Sequence, residues 1–308
     1  MVFLDSATVG ETDFLPLLEL GLLTLYPLTS PEKRIERIHD HEVVITNKVV
    51  IDKKIMDACP SLKLICIAAT GMNNVDLEYA KEKGIPVMNV AGYSTGSVAQ
   101  VTFAMIFHLM NHLNYYDSYV KNGEYSKSPV FTHHGKLFNE LSGKTFGIIG
   151  LGNIGKKVAD IAEAFGANVV YFSTSGKNMD FQYKNVSLNE LLKISDIVSV
   201  HAPLNEFTKN LVAKKELLQM KPSSILINTG RGGIVNEHDL AGALNQNKIA
   251  GAGIDVFTEE PLSSDNPLLT VKNKDKLVLT PHIAWASIEA RKLLVQKIAS
   301  NIKSFLNG

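Results

Sequence analysis

With 308 residues the chain can form two domains with buried cores, and its 31 basic and 31 acidic residues leave no net charge to attract nucleic acid or an anionic membrane. No apolar run approaches the ~20 residues of a membrane-spanning helix, and the N-terminus lacks the pattern of a signal peptide. The two cysteines, Cys59 and Cys66, suit a reducing compartment, so these features predict a cytoplasmic protein.

The first part of the chain alternates between short apolar strands and helices. The strands are predicted at 2–5, 22–26, 43–46, 64–68 and 86–89, and the helices near 13–20, 31–39, 53–58 and 75–83. This alternation is typical of a parallel sheet with helices packed against it.

One long helix is predicted next, from Ser94 to about Val120, and it is too apolar to lie on a surface. Residues 121–141 follow with little periodicity, but they contain large apolar or aromatic side chains at Tyr125, Val130, Phe131, Leu137 and Phe138. Such a segment usually packs on a partner surface. We therefore expect a dimerisation arm and a homodimer.

A nucleotide-binding pattern comes after this segment. A strand at 145–149, a GxGxxG sequence, a helix ended by Gly166 and a strand at 168–172 follow one another directly. In this order the pattern predicts a dinucleotide site, whereas glycines alone would indicate only a turn. Gly150 permits the tight turn, Gly152 the approach of a pyrophosphate, and Gly155 the packing of helix on strand. The pyrophosphate would lie at the N-terminus of the following helix, which is predicted at 156–165, and Asn153 and Ile154 of the glycine pattern are assigned to the cofactor.

Polar side chains follow three apolar runs in the second half of the chain. The runs are predicted as strands at 224–230, 252–257 and 276–281, and a last helix is predicted at 287–306. Arg231 and His282 directly follow two of these strands, and Glu260 lies just beyond the third. Ligands bind outside the carboxyl ends of parallel strands. These three residues could therefore hold a carboxylate substrate and move a proton.

These motifs resemble the D-isomer-specific 2-hydroxyacid dehydrogenases, most of all the glycerate dehydrogenases, also called hydroxypyruvate reductases. The resemblance covers the whole chain and rests on residues 69–76, 92–100, 150–155, 201–204, 228–233, 253–257 and 280–287. It implies an α/β fold of two Rossmann-like domains with parallel sheets, in which the cofactor domain is inserted into the substrate domain. The substrate domain is expected at 1–96 and 287–308, the cofactor domain at 97–286, and a homodimer is usual in the family.

The resemblance also implies the roles of individual residues in reducing a small 2-keto acid with NAD(P)H. Arg231 would bind the carboxylate and carbonyl of the substrate, because guanidinium is planar and permanently charged. His282 would protonate the developing alkoxide, and Glu260 would orient its ring and favour the protonated form. Further substrate contacts are assigned to Thr70, Gly71 and Trp285, with plain packing as the alternative for the tryptophan. Further cofactor contacts are assigned to Ser173, Thr174, Lys177, His201, Pro203, Thr229, Asp255 and His282.

The end of the second strand of the cofactor domain departs from the NAD pattern. That strand normally ends in an Asp that binds the ribose hydroxyls. Here Phe172 precedes Ser173 and Thr174, and no carboxylate appears before Asp180. Small hydroxyls together with Lys177 suit a 2′-phosphate. We therefore expect a preference for NADP(H), with use of both cofactors as the alternative.

The loop at 43–49 lacks the arginines with which phosphoglycerate dehydrogenases bind the substrate phosphate, although it contains Lys48. This favours a small unphosphorylated acid such as hydroxypyruvate or glyoxylate. One alternative is a D-lactate-type or branched 2-keto acid reductase. Another is a dinucleotide-sensing binding protein like the C-terminal-binding corepressors, which retain the Arg, Glu and His set. His108 and His112 have metal-like spacing, but no metal site is expected there.

Overall fold

The computed structural model describes residues 1–176 and 182–308. Unit 1 comprises Met1–Ser94 and Ala286–Gly308, and unit 2 comprises Thr95–Trp285. The sequence placed these boundaries at 96/97 and 286/287. The first boundary differs because a long helix starts at Thr95, and in its first turn Ser97 Oγ already donates to the Ala284 carbonyl oxygen of unit 2 at 2.6 Å.

Unit 1 is a five-stranded sheet with the order β2-β1-β3-β4-β5, and all its paired strands are parallel. The strands are β1 (Val2–Phe3), β2 (Thr24–Leu25), β3 (Val43–Thr46), β4 (Leu64–Ile67) and β5 (Val87–Met88). Its helices are α1 (Leu15–Leu18), α2 (Arg34–Ile38), α3 (Lys53–Ala58), α4 (Leu77–Glu82) and, near the C-terminus, α11 (Ile288–Leu306). Strands β3 and β4 are buried throughout, which explains their unbroken apolar sequences.

Unit 2 begins with α5 (Thr95–Asn111) and α6 (Leu113–Lys121). The prediction of one helix from residue 94 to about 120 was wrong, because His112 adopts a left-handed backbone with φ of 50° and separates the two. Burial explains the break. α5 packs on the sheet of unit 2 with seven buried residues, whereas no residue of α6 is buried.

In the described part of unit 2, seven parallel strands form one sheet in the order β12-β11-β10-β9-β6-β7-β8. They are β6 (Thr145–Ile149), β7 (Asn168–Phe172), β8 (Lys184–Asn185), β9 (Ile197–Val200), β10 (Ile225–Asn228), β11 (Gly251–Ile254) and β12 (Leu277–Leu279). Its remaining helices are α7 (Asn153–Ala164), α8 (Leu188–Ile194), α9 (Lys214–Leu217) and α10 (Glu237–Asn245). Helices α5 and α7 pack on one face of the sheet, and α8, α9 and α10 contribute to the core on the other face.

These two sheets confirm the predicted α/β class with parallel strands. In unit 2 the strand order reverses between β6 and β9, which are neighbours in the sheet but not in the chain. The carboxyl ends of two such strands leave a crevice in which open α/β sheets bind their ligands. Among the described residues, no helix has the length and apolar character needed to cross a bilayer.

Candidate active site

The glycine pattern lies at the β6/β9 crevice of unit 2. Gly150 has a φ of 92°, and a Cβ on it would lie 2.8 Å from the backbone nitrogen of Ala202 in the loop after β9. A Cβ on Gly152 would meet no described atom within 4 Å, whereas one on Gly155 would lie 2.3 Å from the Gly150 carbonyl oxygen. Helix α7 starts at Asn153, so its first amides have no partner within the helix. The open approach at Gly152 therefore fits a pyrophosphate.

Ser173 follows β7 at the position where NAD-binding domains normally have an Asp that binds the ribose hydroxyls. Its Oγ atom is buried and has no hydrogen-bond partner among the described residues. Burying an unpaired hydroxyl is costly, so a ligand group that pairs with it would be favoured there. Thr174 is the next residue, and it is partly buried. Lys177, also assigned to the cofactor, lies outside the described residues.

Buried hydroxyl groups surround His201 in the loop after β9. Ser199 Oγ lies 2.8 Å from Nε2 of His201, and Thr229 Oγ1 lies 3.5 Å from its Nδ1. Thr229 in turn pairs with Thr102 of α5 at 3.1 Å. Part of the His201 residue touches solvent, but desolvation of the ring lowers its pKa from 6.5 to about 3. His201 is therefore neutral in the folded protein near pH 7. The neighbouring Pro203 accepts a hydrogen bond from Thr208 Oγ1 at 2.6 Å, which fixes the loop.

The low pKa of His201 predicts how stability depends on pH. Because the unfolded chain protonates this ring near its ordinary value of 6.5, the free energy of unfolding falls as the pH drops from about 6.5 towards 3, and no such loss occurs above 6.5. Between pH 7 and pH 5 the wild type should lose up to about 2 kcal/mol more than His201→Asn. Denaturant unfolding at both pH values measures this difference. Identical losses in the two proteins would contradict it.

The strands β10, β11 and β12 end side by side. Asn228 pairs with Ile254, and Ile254 with Leu279, so their carboxyl ends are level. The loops that carry Arg231, Glu260 and His282 therefore leave the same edge of the sheet.

Glu260 and His282 form a hydrogen-bonded pair. Glu260 Oε2 lies 2.7 Å from His282 Nδ1, and each side chain is about a quarter exposed, with 27% and 24%. The backbone amide of Phe257 donates to Glu260 Oε1 at 3.0 Å and fixes the carboxylate. His282 Nε2 has no hydrogen-bond partner among the described residues. The pair thus has the form of an oriented imidazole with one nitrogen available to a ligand.

Asp255 fixes the backbone on which His282 sits. Its Oδ1 accepts hydrogen bonds from Thr280 Oγ1 at 2.6 Å and the Ile283 amide at 2.9 Å, and its Oδ2 accepts one from the Ala284 amide at 2.9 Å. Its carbonyl oxygen accepts from the His282 amide at 2.8 Å. These bonds support the left-handed backbone of His282, whose φ is 54°.

Sequence reasoning missed this internal role of Asp255. Burial raises the pKa of its carboxyl above the ordinary value, although hydrogen bonds from Thr280, Ala284 and Ile283 oppose the rise. The signal was available, since an Asp at the end of an otherwise apolar parallel strand needs buried donors. The predicted contact of Asp255 with the cofactor stays a prediction.

Arg231 is a partly buried cation. Its Nη1 donates to the Gly230 carbonyl oxygen at 2.8 Å, and the Arg231 carbonyl oxygen accepts from Asn228 Nδ2 at 2.9 Å. No carboxylate of the described residues lies within ion-pair distance, and Nε and Nη2 have no hydrogen-bond partner among those residues. A half-buried guanidinium without a counter-ion favours the binding of an external anion.

Thr70 and Gly71 belong to unit 1, in the loop after β4. Thr70 Oγ1 donates to the Val90 carbonyl oxygen at 3.0 Å, and Asn89 Nδ2 donates to the Thr70 carbonyl oxygen at 2.6 Å. The amides of Thr70 and Gly71 donate to no acceptor among the described residues. Their assignment to substrate, like that of the partly buried Trp285, stays a prediction. Within the described chain, no cluster of three or more His, Cys, Asp or Glu residues could hold a metal ion.

The chain is similar to known proteins over most of its length. A family profile described as D-isomer specific 2-hydroxyacid dehydrogenase, NAD binding domain, matches residues 103–284. The chain is 38% identical over 305 residues to a hydroxypyruvate reductase of Blautia hydrogenotrophica, across 97% of this chain and 94% of that protein.

Solved structures with nicotinamide dinucleotides have a similar fold. The D-lactate dehydrogenase of Aquifex aeolicus, complexed with NAD and lactic acid, aligns with a TM-score of 0.86 and 28% identity, over 100% of this chain and 96% of that one. An acyclic imino acid reductase in complex with NADPH and D-arginine aligns with a TM-score of 0.87 and 31% identity, over 100% of this chain and 97% of that one.

Proposed function

Because the chain belongs to the D-isomer-specific 2-hydroxyacid dehydrogenase family, we propose that it reduces a small unphosphorylated 2-keto acid, hydroxypyruvate or glyoxylate, to the D-2-hydroxy acid. The observation that carries this proposal is the pair of available donors at one edge of the sheet of unit 2. Arg231 has no counter-ion and His282 Nε2 no partner among the described residues. They follow β10 and β12, whose carboxyl ends are level on either side of β11.

The chemistry follows from these two side chains. Arg231 holds the substrate carboxylate and polarises the adjacent carbonyl through parallel N–H donors. His282 Nε2 donates its proton to the carbonyl oxygen as that oxygen gains negative charge, and it takes the proton back in the reverse reaction. Glu260 bonds to Nδ1 at 2.7 Å and thereby holds the ring with Nε2 available to the substrate. A nicotinamide dinucleotide, when bound, supplies the hydride that reduces the carbonyl carbon.

A panel of keto acids tests the substrate class. Hydroxypyruvate, glyoxylate, pyruvate and a branched 2-keto acid are compared by kcat/KM with both reduced nicotinamides. We expect the highest efficiency with hydroxypyruvate or glyoxylate, because residues 43–49, which form β3 and the turn after it, contain Lys48 as their only cation. Phosphoglycerate dehydrogenases bind the substrate phosphate there with arginines. Best activity on a branched acid would replace these substrates, and tight dinucleotide binding without turnover would favour a dinucleotide-sensing protein.

We propose NADPH as the preferred reductant in that panel. Ser173 directly follows β7, and its Oγ is buried without a hydrogen-bond partner among the described residues. The described residues from there to Gly176 supply no carboxylate that would repel a 2′-phosphate. Efficiency with NADPH is therefore expected to exceed that with NADH. A large preference for NADH would reject this assignment and leave the reductase proposal intact.

We also propose a homodimer formed through residues 121–141, the segment predicted as a dimerisation arm. This segment exposes Phe131 and Leu137 by 88% and 83%. Its fixed geometry supports a docking role, because the His133 ring stacks on Tyr119 at 3.8 Å and bonds to Tyr115 Oη at 2.7 Å.

A cytoplasmic location is likewise proposed. Both cysteines are buried free thiols, and burial raises the pKa of Cys66 to about 12.

A further inference from the structure

Glu237 is the first residue of α10 and follows the loop that carries Arg231. Acidic residues in a first helical turn usually face solvent near the positive end of the helix dipole. The carboxylate of Glu237 instead bonds to another loop. Its Oε1 accepts from the Thr258 amide at 2.6 Å and from Thr258 Oγ1 at 2.8 Å, and its Oε2 accepts from Asn266 Nδ2 at 2.6 Å.

These two partners lie on either side of Glu260 in the chain. Thr258 comes after Phe257, whose amide binds Glu260, and Asn266 is buried and caps the short 3-10 helix Pro267–Thr270 through the Leu268 amide. One carboxylate therefore fixes both ends of the segment that carries Glu260. Hydrogen bonds to an ionised acceptor are about twice as strong as neutral ones.

The loop that carries Arg231 touches the same point. A Cβ on Gly232 would lie 1.8 Å from the Phe257 carbonyl oxygen and 2.6 Å from the Thr258 amide nitrogen. The backbone directly after Arg231 thus lies on the peptide whose N–H binds Glu237. Glu237 therefore lies at the contact between the two loops, and its helix α10 directly follows the Arg231 loop in the chain.

We propose that Glu237 is a positioning residue that joins the Arg231 loop to the Glu260 loop and so sets the placement of the guanidinium relative to the imidazole. This inference rests on the proposed function, since it concerns the geometry of that reaction. A displacement of about 1 Å in such a site costs up to about a hundredfold in rate. Glu237 itself contacts neither substrate nor cofactor in this account.

The test compares Glu237→Ala and Glu237→Gln with Glu289→Ala. Glu289 is the matched control, because it is an exposed acid in the first turn of α11 and makes no hydrogen bond with the described residues. On the keto acid that the wild type reduces best, Glu237→Ala should lose about tenfold or more in kcat/KM. The dinucleotide Kd of Glu237→Ala should not change, because the glycine pattern expected to bind the pyrophosphate follows β6, whereas the two loops that Glu237 joins follow β10 and β11. Glu237→Gln should recover part of the loss, since its carbonyl oxygen can still accept both Thr258 bonds.

Hydrogen–deuterium exchange provides a readout that needs no turnover. Amides of residues 257–266 should exchange faster in Glu237→Ala than in the wild type. Their exchange rates in Glu289→Ala should equal those of the wild type. The positioning role is wrong if both Glu237 variants keep wild-type kcat/KM and wild-type exchange in this segment. It is also wrong if they lose only global stability. In both cases the proposal that the protein is a reductase is unaffected. If the wild type reduces no keto acid, the proposed function fails, and faster exchange alone then supports only the joining of the loops.

Discussion

Replacing His282 with asparagine is expected to lower kcat about a thousandfold, within the range that general acid catalysis contributes. Asparagine is the suitable substitute, because it tolerates the left-handed backbone that His282 adopts with φ of 54°, whereas alanine would add strain there. The variant keeps a polar side chain beside Glu260 but has no titrating nitrogen to donate the proton. Steady-state kinetics on the best keto acid measure the loss.

His238→Asn is the matched control for this variant. His238 lies on α10 with its side chain 89% exposed, so its replacement should leave kcat unchanged. The dinucleotide Kd of His282→Asn should stay within a few fold of the wild type, which separates loss of chemistry from loss of the cofactor site. Near wild-type turnover in His282→Asn would show that another group moves the proton.

Replacing Arg231 with glutamine is expected to lower kcat/KM about a thousandfold, since it removes two charge-assisted hydrogen bonds of about 1.5–3 kcal/mol each. The loss should be large because no carboxylate of the described residues pairs with Arg231, so its interaction with the substrate is not shared with an internal partner. Arg231→Lys keeps the charge without the planar pair of donors and should recover only part of the loss. Steady-state kinetics of both variants provide the values.

A substrate analogue controls for this second prediction. When the carboxylate of the keto acid is replaced by a neutral amide, the wild type should lose most of its efficiency, and Arg231→Gln should lose little more. This non-additivity is expected because the same contact is removed twice. If Arg231→Gln lowered kcat/KM by the same large factor for the acid and for its amide, Arg231 would act on something other than the carboxylate.

Local sequence predicted the parts of the site in which one short segment determines the outcome. The turn at Gly150, the open approach at Gly152 and the packing at Gly155 are each set within the strand-turn-helix unit, and the structure has all three features. The strands before Arg231 and His282 were predictable for the same reason, because each is a short apolar run, buried in β10 and partly buried in β12. They end at Asn228 and Leu279, two residues before the predicted ends.

Contacts between distant segments were not predictable in this way. His112 breaks the helix although the apolar pattern continues past it, because burial on the sheet stops with α5. Asp255 was assigned from a family resemblance, and its bonds to residues 280–284 depend on the pairing of β11 with β12. Glu237 looks in sequence like an ordinary acid in a first helical turn, and only the folded chain brings it to Thr258 and Asn266.

The most direct measurement is a crystal structure of the protein with NADPH and oxamate, an unreactive analogue of a 2-keto acid. We expect the oxamate carboxylate to lie on the Arg231 guanidinium and its amide carbonyl oxygen to lie about 3 Å from His282 Nε2, with Glu260 still bonded to Nδ1. Oxamate bound away from these side chains, or a His282 ring turned away from it, would show that Arg231 and His282 do not act together on the substrate.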